Sequence, residues 1–150
     1  MSAAKVILLT LHIISAGAWV SQFFVEVAIE RFARTMKGQP GAHLLAIAEG
    51  RAASLLGQIG GIGILITGFG LLGVDRYAFL GIGGHTPLWL MIKQVIYIIA
   101  MVIVFAVVIR GTRGFATGQA TEIPSTVVLA SRLVNVLVLV NIVLAVWKPL

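Results

Sequence analysis

At 150 residues the chain is long enough for one domain, but it is 59% hydrophobic and only 11% charged, less than half the charged share of about 25% usual in soluble proteins. That excludes an ordinary soluble globular domain and puts the chain in the membrane class. Its net charge of +6 comes from basic residues at the ends of apolar runs, a membrane-flanking pattern unlike a basic stripe for nucleic acid, and the absence of cysteine excludes disulfides and thiolate chemistry.

The first apolar run begins after Lys5 and resembles a signal peptide, with small residues at Ala16, Gly17 and Ala18. It continues past Trp19 to about Ile29, longer than a signal core, so a retained span over 6–30 is expected. On a helix His12, Trp19, Phe23, Glu26 and Glu30 fall on one stripe, with Ser15 and Ala16 beside it. Polar groups at membrane depth face a bundle interior or a cavity, which makes this stripe the inward face.

Gly38–Gly41 is a turn signal, and helical composition from His43 leads into a second span over 52–74, about 34 Å long at helical rise. Its glycines include the pair Gly57 and Gly61, a spacing that lets helix backbones approach closely. No phosphate-binding glycine loop or Walker lysine accompanies them. A short glycine-rich connection ends at His85, and Thr86-Pro87 opens a third span over 87–109 that carries Trp89, Lys93, Tyr97 and Ala100 on one face. His43 and His85 read as loop residues. After a loop from Arg110 to Ser125, the fourth span covers 127–147 and contains Arg132, Asn135 and Asn141. The expected fold is all-α: an antiparallel bundle of four transmembrane helices forming a single domain over 1–150.

Six basic residues, Arg31, Arg34, Lys37, Arg51, Arg110 and Arg113, lie in the first and third connections, against Lys5, Arg76 and Lys148 in the second connection and at the termini. The positive-inside rule then puts both termini outside the cytoplasm, in a multi-pass membrane protein. In that frame His12 and Lys93 each lie about six residues below the outer end of their span, at a shared depth. Glu26 and Arg132 share an inner-leaflet depth and are expected to form a structural charge pair, since either alone in hydrocarbon costs roughly 2.5 kcal/mol or more.

The segment Leu11-His12-Ile13-Ile14 with Ala18-Trp19, together with Trp89 and Lys93 at the opening of the third span, resembles the CopD-related superfamily of bacterial membrane proteins. It is also similar to the HemJ-type protoporphyrinogen oxidases and to a neighbouring family of uncharacterised integral membrane proteins. The resemblance implies b-type haem at the first-helix histidine and third-helix lysine, so His12 is a candidate metal ligand and His12, Lys93, Trp19 and Tyr97 are candidate cofactor-binding residues in a membrane redox role. The methionines are only Met1, Met36, Met91 and Met101, a poor donor set for CopD-like copper handling. No hydrolytic triad or HExxH motif is present. The alternative function is a non-catalytic transmembrane accessory subunit of a larger respiratory, photosynthetic or transport complex. The expected partners are the lipid bilayer and either a homo-oligomer or such a complex, with no nucleic acid.

Overall fold

Long apolar runs free of internal proline leave the backbone no better way to satisfy its polar groups than helical hydrogen bonds. The computed structural model describes residues 2–35, 42–116 and 124–147. Helices α1 (Ala3–Thr35), α2 (Ala42–Asp75), α3 (Leu88–Ile103), α4 (Ile109–Ala116) and α5 (Ser125–Trp147) account for nearly all of them. A π-helical turn at Val104–Val108 joins α3 to α4 without interrupting the rod. Four helical segments, Ala3–Ala28, Leu55–Asp75, Leu88–Arg113 and Ser125–Trp147, are long and apolar enough to cross a membrane. Large apolar side chains such as Ile13, Ile66, Val102 and Leu129 stand exposed on their outer faces.

The boundaries follow local chemistry. Pro87 and Pro124 stand directly before α3 and α5, and each offers its carbonyl to two amides of the first turn, those of Leu90 and Met91 and those of Val127 and Val128. Proline suits this place because a first-turn N–H has no helical partner to lose. At the other end of α2, Tyr77 N–H donates to Leu72 O and Arg76 N–H to Gly73 O. This paired closure puts Arg76 in the left-handed region, at φ 58°, where glycine is usual. Two expectations change here. His43 lies inside α2, and Arg110, Gly111 and Gly114 are helical in α4, because the third span continues through the π turn instead of ending at residue 109. The turn expected at Gly38–Gly41 and the remainder of the third connection, 117–123, lie outside the described residues.

The helices pack as two hairpins, α1 on α2 and α3–α4 on α5. In the first, Gln22 lies against Gly57, Trp19 against Gly60, Ser15 against Gly63, His12 against Gly68 and Leu8 against Gly70. The steady antiparallel progression shows one register along the whole hairpin. A Cβ at Gly60 would stand 2.8 Å from the Trp19 backbone nitrogen and 2.9 Å from the Ser15 carbonyl, so the two backbones touch there. Lys5 and Asp75 close the end of this hairpin with a 2.5 Å ion pair. Between the hairpins lies a small buried core of Trp19, Ala100, Val134 and Val138, with Tyr97, Met101 and Ile64 packed against it.

Candidate functional site

Polar side chains gather at two levels of this bundle. The first is near the end that carries the Lys5–Asp75 pair and the connection between α2 and α3. Here His12 Nδ1 lies 2.8 Å from Thr67 Oγ1 on α2. The Thr67 hydroxyl donates its one hydrogen to Gly63 O at 2.5 Å, so it can only accept from the ring. The chain of bonds therefore assigns the hydrogen of His12 to Nδ1 and leaves the lone pair of a neutral imidazole on Nε2. The ring Cε1 lies beside Gly68, 3.7 Å from where a Cβ would stand, an ordinary van der Waals distance.

Lys93 is close enough for its charge to act on the His12 ring. Its Nζ also stands 5.8 Å from the centroid of the Trp89 ring, one turn earlier on the same helix. Asn141 of α5 donates to the Lys93 carbonyl at 3.2 Å, which fixes this turn of α3 against the fourth span. Below it, Trp19 and Tyr97 meet edge to face with centroids 6.0 Å apart, and the Tyr97 hydroxyl donates to Gly61 O at 2.7 Å. Trp19 is only 3% exposed. From this ring contact His12 lies seven residues, about 10 Å, towards the ion-pair end and Lys93 four residues, about 6 Å. The reach of a lysine side chain spans that difference in depth. Trp19 and Tyr97 thus meet between the hairpins, with His12 and Lys93 one to two turns further along their own helices towards the ion-pair end.

The second level lies further along α1. Glu26 accepts hydrogen bonds from Gln22 Nε2 at 2.9 Å, from the Ser131 hydroxyl at 3.4 Å and from Asn135 Nδ2 at 3.3 Å. Asn135 is 5% exposed, so this network sits between the hairpins and ties α1 to α5. On α5 Glu26 meets Ser131 and Asn135. Arg132 follows Ser131 in the chain, with an exposed side chain.

Thr67, Gln22 and Ser131 were not singled out in the sequence. Thr67 was legible in principle, as a hydroxyl in a largely apolar, glycine-rich helix paired with the one that carries His12. Among the described residues no three His, Asp or Glu side chains gather into a group able to hold a metal ion. His85 is exposed on the connection before α3. No family model matches the chain, and no curated protein or solved structure matches it.

Proposed function

We propose that this is a four-span protein of a bacterial inner membrane, with both termini extracytoplasmic, and that His12 would hold the iron of a b-type haem in a membrane redox role. The observation that carries the reading is the bond from His12 Nδ1 to Thr67. Ligand histidines are characteristically held through the other ring nitrogen, which fixes the tautomer and orients the lone pair, and His12 meets that requirement through Nδ1, leaving Nε2 as the donor to iron. The donor set is compatible with haem, since an imidazole alone serves as the proximal ligand in many haem proteins. Lys93 supplies a cation suited to a propionate, while Trp19 and Tyr97 give an apolar, aromatic surface. Bound haem would supply one-electron transfer. This chain's residues would orient the ligand, neutralise a carboxylate and keep water from the porphyrin.

The resemblance of the Leu11–Ile14 and Trp89–Lys93 segments to HemJ-like proteins supports the same reading. The exposed apolar side chains on all four long helices support the membrane placement, because without lipid such surfaces would drive association. Pairing of Glu26 with Arg132 belongs to this reading, and coupling in a double-mutant cycle supports it whereas additive losses remove it. The functional test is the absorption spectrum of protein purified from haem-replete cells. A Soret band that is lost or shifted in His12→Ala supports haem ligation; a folded protein without porphyrin absorption rejects it in favour of an accessory membrane subunit.

A further inference from the structure

Next to Lys93, two buried amide groups each use one end and leave the other without a partner in the protein. Gln94 Oε1 accepts from the Leu80 backbone N–H at 2.5 Å, while its buried Nε2 has no acceptor. Asn141 Nδ2 donates to the Lys93 carbonyl at 3.2 Å, while its buried Oδ1 has no donor.

Neither amide can be turned round. An N–H at Leu80 requires an oxygen opposite it, and a carbonyl at Lys93 requires a nitrogen, so the two anchors fix which atom of each amide is left over. What remains is one donor on α3 and one acceptor on α5. They belong to the same level of the bundle, because Asn141 grips the residue that precedes Gln94. They do not bond each other, although that would relieve both. Buried polar atoms of this kind are costly when unsatisfied, and native structures rarely retain them.

We propose that Gln94 Nε2 and Asn141 Oδ1 together bind one guest oxygen of hydroxyl character, which accepts from Gln94 and donates to Asn141. Two sources carry that chemistry: a buried water molecule, or the hydroxyl of a lipid-soluble quinol. The pair favours the reduced form, since a quinone carbonyl could still accept from Gln94 but has no hydrogen for Asn141 Oδ1. The connection between α2 and α3 covers the site through the Leu80 bond, with Leu80 at φ 53°. A non-glycine residue in that region is strained, and the hydrogen bond to Gln94 offsets part of that strain. This site is separate in its chemistry from haem ligation, and it stands or falls independently of it.

The test uses the full chain in lipid nanodiscs, with helicity checked by circular dichroism. Infrared spectra recorded in ordinary water and in water labelled with oxygen-18 report a bound water. Thermal unfolding with increasing decyl-benzoquinol reports a quinol. A water guest gives an isolated O–H band that shifts with the label in the native protein and disappears in Asn141→Leu. A quinol guest gives a Tm that rises with probe concentration in the native protein and stays fixed in that variant. Asn141→Leu also removes the bond to Lys93, so Gln94→Met, on the facing helix, repeats both readouts. A native protein that shows neither signal, or variants that retain whichever signal it shows, overturns the proposal. Neither readout involves porphyrin, so failure of the haem reading leaves this result interpretable.

Discussion

The hydroxyl of Thr67 decides which nitrogen of His12 carries hydrogen, and an apolar residue of the same shape there would leave Nδ1–H without its acceptor. Thr67→Val is therefore expected to destabilise the protein by about 1–3 kcal/mol, while adding His12→Leu to it should recover much of the loss, because removing both partners leaves nothing unsatisfied. Unfolding in a detergent series with a fixed reference measures both; equal losses from the two single variants that simply add would mean that the contact carries no weight. Glu26 makes the same point with a charge. Glu26→Leu strands Ser131 and Asn135 between the hairpins and should cost about 1–3 kcal/mol, whereas Glu26→Gln keeps an acceptor for one of them and should cost less. Equal stability of the two variants would contradict the network. His12 and Glu26 were legible in the sequence because a titratable group in an apolar run is conspicuous. Thr67, Ser131 and Gln22 were not, since small polar side chains are common in membrane helices and only the register of two helices reveals which of them lie opposite the conspicuous ones.

Register in the first hairpin is set by glycine. At Gly60 the α1 backbone leaves no room for a Cβ, and Gly60→Val should separate α1 from α2 at a cost of about 1–3 kcal/mol, with loss of helix-pair protection in hydrogen exchange. Gly73, where a Cβ would meet nothing, should tolerate alanine, and comparable damage at both positions would refute the packing. Arg76 offers a change in the opposite direction. It occupies the left-handed position that closes α2, so Arg76→Gly should raise stability by up to about 1 kcal/mol, and a fall would show that the arginine side chain contributes more than the strain removes. Proline and hydrophobic run length made the four long helices readable, and the start of α3 directly after Pro87 agrees with its signal. The end of the third span was misplaced because Arg110 and Gly111 look like loop residues by composition. Yet α4 carries the helix on through the π turn, and Gly111 is where α4 lies close against Val127 of α5, a tertiary contact with no local signature.

For the molecule as a whole, two hairpins joined by Trp19–Tyr97 packing and by the Glu26 network make one helical unit with apolar outer faces. The excess of arginine and lysine in the first and third connections predicts that reporter fusions at Gln39 and Gly118 are cytoplasmic; extracytoplasmic signals from both would reverse the orientation and leave the packing unchanged. The depths of His12 and Lys93 can be counted from helix ends marked by charge and proline, while the direction in which His12 points depends on α2 and cannot be counted. The central claim is that His12 holds a haem, and one measurement meets it directly: the visible absorption spectrum of the purified protein, reduced and oxidised, beside that of His12→Ala. A Soret band with redox-dependent shifts, abolished or displaced in the variant while helicity is unchanged, is the predicted result. A folded native protein from haem-replete cells with no porphyrin absorption, or a Soret band indifferent to the loss of His12, would contradict it.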